Sequence, residues 1–101
     1  MIKYIETKKE FDEFTKDKLV LIDFFATWCG PCRMLSPLLE EIDEEGHDIH
    51  IVKIDVDRAK EIAIQFGIRV IPTMILLKNG QEIKRTQGYL AKNLILDFIK
   101  E

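Results

Sequence analysis

Hydrophobic positions along the chain alternate between strand-like runs and helix-like spacing. Leu19 to Ala26 is apolar at nearly every position, as expected of a central parallel strand covered on both faces, and Asp23 is the exception within it. From Cys32 onward, Leu35, Leu38, Leu39 and Ile42 recur at i, i+3, i+4 and i+7, which puts them on one helix face with Glu40, Glu41 and Glu44 turned to water. Gly46 supplies the stop signal, and Pro37 inside the helix predicts a kink rather than a break. Ile49 to Val56 reads as the next strand. Ala59, Ile62, Ala63 and Phe66 mark a one-sided helix closed by Gly67, and Met74 to Leu77 marks another strand. Asn79-Gly80 is a strong hairpin signal, so a strand over 81–87 is expected to return antiparallel.

At the N-terminal end, Thr7-Lys8-Lys9-Glu10 fits a capping box for a helix over about residues 8–16, with Phe11 and Phe14 sharing a face. At the other end, Ala91, Leu94, Ile95 and Phe98 give a last helix an inward face. That helix lacks an evident cap, and Leu96 falls outside its apolar arc, which predicts an exposed leucine. The order is a βαβαβ unit, a helix, a hairpin and a terminal helix. This is an α/β protein with a mixed central sheet and helices on both faces.

Composition narrows the function classes. A chain of 101 residues, 47% hydrophobic and 33% charged, is the size and balance of one soluble domain over 1–101 with a core of its own. The apolar runs are far short of the roughly 20 residues that span a bilayer. Residues Met1 to Glu6 lack the roughly 7–15-residue apolar segment of a secretory signal, so a cytoplasmic protein is expected. A net charge of −3 from 15 basic and 18 acidic residues gives no electrostatic reason to expect nucleic acid.

The chain has two cysteines, and in a reducing compartment such a pair serves chemistry more often than structure. Trp28-Cys29-Gly30-Pro31-Cys32 stands where the buried strand meets a helix. The free amides and positive dipole end there stabilise negative charge, so the Cys29 thiol is expected to ionise below the ordinary value of about 8.5. The spacing puts the second sulfur within bonding reach, and a mixed disulfide on Cys29 is then resolved by Cys32. Gly30 and Pro31 carry no charge to stabilise the dithiol further, which favours a reductant over an oxidant. Zinc is the competing use of such a pair, since Cys32 and His47 have 14 residues between them. The second half of that motif fails: His47 and His50 are separated by two residues and the intervening segment reads as one helix, so no metal site is expected and both histidines read as solvated.

These residues resemble the thioredoxin family. The resemblance runs along essentially the whole chain and is most specific in Asp23 to Cys32, in Gly67-Ile68-Arg69-Val70-Ile71-Pro72-Thr73 and in Lys78-Asn79-Gly80. It implies the thioredoxin fold, βαβαβαββα, and a protein dithiol–disulfide oxidoreductase. In that reading Cys29 is the exposed nucleophile and Cys32 the shielded resolving thiol, with Gly30 and Pro31 as the redox-tuning spacer. Asp23 becomes the buried carboxylate that exchanges a proton with Cys32. The residues themselves leave Asp23 open between this role, for which burial raises a carboxyl's pKa, and a strand-end aspartate bonded to a turn. Lys53 is similar to the lysine that neighbours this carboxylate; a solvated strand lysine is the alternative. Pro72 resembles a cis-proline lying against the dithiol, although about 5–6% of X-Pro bonds are cis and the residues alone favour trans.

Trp28, Val56, Ile71, Pro72 and Gly88 would line an apolar docking patch, with the backbone of Ile71 free to pair with a substrate strand. For Trp28 the other reading is a core aromatic. The implied partners are thioredoxin reductase, which draws on NADPH, and disulfide-containing clients such as reductases and peroxiredoxins. The protein is expected to be a monomer with no bound cofactor. A binding or assembly subunit using the same patch is the alternative function. The chain departs from the family pattern at Phe25, where a tryptophan is often found, at Gln87 and Tyr89 around Gly88, where smaller or apolar residues are common, and at Ala91, where a serine often caps the last helix.

Overall fold

A computed structural model describes residues 1–101. The elements are β1 (Lys3–Tyr4), α1 (Lys8–Phe14), β2 (Leu19–Phe25), α2 (Gly30–Glu44), β3 (His50–Asp55), α3 (Lys60–Gln65), β4 (Thr73–Lys78), β5 (Gln81–Gln87) and α4 (Lys92–Phe98). All five strands form one sheet in the order β1-β3-β2-β4-β5. β2 pairs parallel with β3 and antiparallel with β4, so the near-continuous apolar run lies at the centre of the sheet.

Side-chain alternation splits the core into two layers. Val20, Ile22 and Phe24 of β2 join Val52, Ile54 and Ile75 against Phe11 and Ile62 of the α1/α3 side. Leu21 joins Ile51 and Met74 on the other face, against Leu35, Leu39 and Ile42 of α2 and Ile95 of α4. Asp23 stands two residues after Leu21 on the same side of β2 and pairs in register with Lys53 and Met74, so it faces the α2 side. One polar position in an apolar strand is thereby aimed at the helix that carries both cysteines.

Local signals explain most boundaries. Asn79 and Gly80 both have positive φ, 51° and 80°, the two-residue turn that suits the twist of a hairpin, and Lys78 pairs with Gln81 across it. α2 begins at Gly30, ahead of the apolar periodicity, because Cys29 acts as N-cap and Pro31 follows in the first turn. It runs unbroken through the exposed Pro37. α1 stops at Phe14, short of residue 16; the Thr15 hydroxyl donates to the Phe11 carbonyl at 2.9 Å and Asp17 turns left-handed at φ 56°. Half of the capping box forms: Thr7 Oγ1 accepts from the Glu10 amide at 3.2 Å, whereas the Glu10 carboxylate turns to Lys3.

The last helix is rotated from its expected face. Ile95 is its buried residue, Leu94 is exposed, and Leu96, Phe98 and Ile99 are half-buried against the α2 layer. Leu96 is therefore not the exposed leucine: it packs with Phe98 and Ile99 against the α2 layer, and Lys92 pairs with Glu41 and Glu45 at the end of α2. Ala91 has extended cap geometry at φ −64° and ψ 156° but no side-chain acceptor. Ala91→Ser is expected to stabilise the fold by about 1 kcal/mol. A raised urea midpoint checks this, and an unchanged one contradicts it.

Candidate active site: a disulfide at a helix N-terminus facing a buried ion pair

The cysteines follow the C-terminal end of β2, where open α/β sheets bind their ligands. Cys29 and Cys32 are joined in a disulfide with Cα atoms 5.3 Å apart. Cys29 Sγ also accepts the Cys32 amide at 3.3 Å, so a sulfur occupies the N-cap acceptor position of a 15-residue helix. On reduction, the same amide and the helix dipole lie where they stabilise a thiolate on Cys29. Cys29 is not exposed as the resemblance implied. It is 5% accessible against 2% for Cys32, and the asymmetry lies in what each sulfur faces. Cys32 lines a cleft of about 270 Å³ together with Ser36, Lys53, Phe25 and Tyr4; Cys29 does not.

Asp23 is fully buried and neither carboxylate oxygen has a hydrogen-bond partner. The strand-end aspartate bonded to a turn is thus not what forms. Lys53, 4% exposed rather than solvated, places Nζ 3.7 Å from Asp23 Oδ2, near enough for ionic attraction and too far for a hydrogen bond. Desolvation outweighs that attraction and pushes the Asp23 carboxyl up from 3.8 to about 6. Near neutrality it can therefore hold or release a proton with little cost either way.

Around the disulfide, Val56 and Ile71 are half-buried against the cysteines and Ala26. The Ile71–Pro72 peptide is cis. Gly88 has φ 89° and donates its amide to the Pro72 carbonyl at 2.8 Å, which brings the end of β5 to this loop. Ile71 lies outside the strands, and its own amide and carbonyl have no backbone partner. Trp28 is 68% exposed, so it is a surface residue and not a core aromatic. Its indole donates to Asp57 Oδ2 at 2.8 Å. Asp57, Ser36 and Tyr4 escaped the sequence reading. Ser36, four residues after Cys32 on one helix face, was open to discovery; Tyr4 needed the β1–β3 register that sets it beside Lys53.

Other features lie apart. The largest cleft, about 370 Å³, is at the opposite ends of β2 and β3 and contains no candidate residue. His47 and His50 are exposed, and no group of three or more His, Cys, Asp or Glu converges to hold a metal. No helix is long and apolar enough to cross a membrane.

A mixed sheet that presents a two-residue-spaced cysteine pair at a helix N-terminus defines a thiol–disulfide oxidoreductase of α/β architecture. Similarity to known proteins narrows the class. The family model Thioredoxin matches residues 3–101. The chain is 45% identical over 102 aligned residues to a thioredoxin of Listeria monocytogenes, covering 100% of this chain and 98% of that one, and 39% identical over 100 residues to one of Mycoplasmoides gallisepticum, covering 98% and 100%. A mutant thioredoxin from Halobacterium salinarum superposes with a TM-score of 0.91 at 36% identity, covering 98% of this chain and 88% of that one. The chain belongs to the thioredoxin family. It is a dithiol–disulfide oxidoreductase whose redox group is the Cys29–Cys32 pair, in a family that carries no prosthetic group.

Proposed function

We propose that the chain, a single domain acting as a cytoplasmic monomer, reduces disulfides of client proteins and is recharged by thioredoxin reductase with electrons from NADPH. The observation that carries this reading is the closed Cys29–Cys32 pair capping α2, with the buried, unpartnered Asp23 on the α2 face of the sheet. The Cys29 thiolate attacks a client sulfur; a Cys29–client bond forms and the client's other sulfur leaves as thiolate. Asp23 takes the Cys32 proton, Cys32 attacks Cys29 Sγ, and the second client thiolate departs. Two electrons pass to the client, and the pair ends as the disulfide seen here.

Lys53 modulates Asp23 through its charge. Trp28, Val56, Ile71, Pro72 and Gly88 form the docking patch, with the unpaired backbone of Ile71 available to an extended client segment. Gly30 and Pro31 place no charge of their own between the two cysteines, and a Cβ at Gly30 meets nothing within 4 Å. Clients such as reductases and peroxiredoxins fit this chemistry. An assembly subunit using the same patch has no need of a buried, unpartnered carboxylate facing the dithiol's helix, so the redox reading is preferred. The test is NADPH oxidation by a thioredoxin reductase in the presence of insulin. The protein is expected to make NADPH loss depend on insulin, and no stimulation above reductase alone contradicts recharging by that route.

A further inference from the structure

Ser36 makes the one hydrogen bond that the buried Lys53 side chain has. Its Oγ lies 2.9 Å from Lys53 Nζ, against 3.7 Å for the nearest Asp23 oxygen. The Phe25 and Tyr4 rings, with centroids 4.8 Å and 5.7 Å from the same nitrogen, offer it two further attractive faces. Asp23 meanwhile has two buried oxygens with no donor, which costs free energy that a small movement of the ammonium would recover. Lys53 is engaged elsewhere, and α2 supplies the partner. Ser36 stands one helical turn after Cys32, so both line the cleft that Lys53 enters.

We propose that Ser36 is a positioning residue for Lys53: its hydroxyl draws the ammonium toward α2 and short of the Asp23 carboxylate, and thereby sets the pH at which Asp23 exchanges its proton. The inference rests on the reading of Asp23 as the proton acceptor of Cys32. With alanine at position 36, Asp23 is the remaining polar partner within reach of Lys53. Closing to a hydrogen bond stabilises the carboxylate and lowers the pH at which it ionises. The other charged or titratable groups around this site are Tyr4 of β1, Arg33 of α2, and Glu6, Asp55 and Arg58 in the adjoining cleft. None is ion-paired or side-chain hydrogen-bonded to Asp23 or Lys53, so they form a constant background to any change at Ser36.

The test is a carbon-13 NMR titration of the Asp23 carboxyl in the oxidised protein, where neither cysteine titrates. Ser36→Ala is expected to lower the midpoint by roughly one pH unit, the low end of what a newly adjacent cation does to a carboxyl. Ser36→Thr keeps the hydroxyl and leaves the midpoint in place. In a Lys53→Met background, Ser36→Ala is expected to shift nothing. Alanine favours the helix, so folding is retained. A midpoint that stays or rises in Ser36→Ala, or a shift that persists without Lys53, overturns the proposal. The pH profile of disulfide reduction tests the underlying reading separately. If the titration moves while the profile does not, Ser36 positions Lys53 as proposed and Asp23 is removed from the reaction.

Discussion

Asp23→Asn is expected to stabilise the oxidised protein by about 3 kcal/mol at pH 7 to 8 and by almost nothing below pH 4. The folded carboxyl ionises near 6 against an ordinary 3.8, so the native state holds this proton more tightly than the unfolded chain does. Stability from this group is therefore fully present below about pH 4 and is lost as pH rises through about 6. Roughly two pH units at about 1.4 kcal/mol each give the stated magnitude. Asparagine keeps the shape, removes the charge and leaves the buried polar atoms as unpartnered as the protonated acid leaves them. Urea denaturation across pH 3.5 to 8 measures the gap, and a gap independent of pH contradicts the account. The same variant is expected to lose activity. An ordinary cysteine thiol is only about 3% thiolate at pH 7, so loss of the proposed internal base is expected to slow resolution by up to about 30-fold.

Cys32→Ser is expected to collect client proteins as covalent adducts through Cys29, one per chain, while Cys29→Ser collects none. The difference follows from what each sulfur faces. Cys29 takes the amide at the helix N-terminus, which stabilises its thiolate, and follows the exposed Trp28. Cys32 faces the cleft that holds Lys53 and Ser36. With serine at position 32 the first exchange still occurs, but no second sulfur is within reach to break the Cys29–client bond. Non-reducing electrophoresis of extracts exposed to each variant, followed by mass mapping of the bridged cysteine, reads the outcome. Adducts through Cys32 in the Cys29→Ser protein, at comparable yield, contradict the assignment.

The parts of this site legible in the sequence are those set by local physics. An apolar run interrupted by Asp23, a C-x-x-C pair at a strand–helix junction and Asn79-Gly80 each carry their structural meaning within a few residues. The pairing of Asp23 with Lys53 is different in kind, because it depends on the parallel register of β2 and β3, which no local pattern specifies. Tyr4 beside Lys53, and Asp57 at the N–H edge of the Trp28 indole, are products of the same long-range placement. The buried side of α4 is partly legible. At about 100° per residue, its apolar residues Leu94, Ile95, Leu96, Phe98 and Ile99 cover little more than half of the circumference with Ile95 at the centre, whereas a face drawn through Ala91 and Leu94 lies toward one edge of that arc. In the fold Ile95 packs against the α2 layer, Lys92 pairs with its glutamate partners, and Lys84 lies over the Phe98 ring and donates to the Lys100 carbonyl.

Phe25 illustrates how a departure from the family pattern gains meaning in three dimensions. As a sequence change it is one aromatic for another. In the fold its ring packs edge-on against Tyr4 and lies 4.8 Å from the Lys53 ammonium. It thus helps to cover the charge that faces Asp23. Gln87 and Tyr89 are both exposed, on either side of Gly88 in the proposed docking patch.

The central claim is that the Cys29–Cys32 pair itself carries two electrons to a client disulfide. A single turnover tests it most directly: the fully reduced protein, freed of small thiols and without any reductase, is mixed with an equimolar disulfide-bonded peptide, and both are weighed by mass spectrometry. The account predicts that the peptide gains two hydrogens as the protein loses two, with the new bond mapped to Cys29 and Cys32. An intact peptide disulfide, or reduction that proceeds equally well with Cys29→Ser, would contradict it.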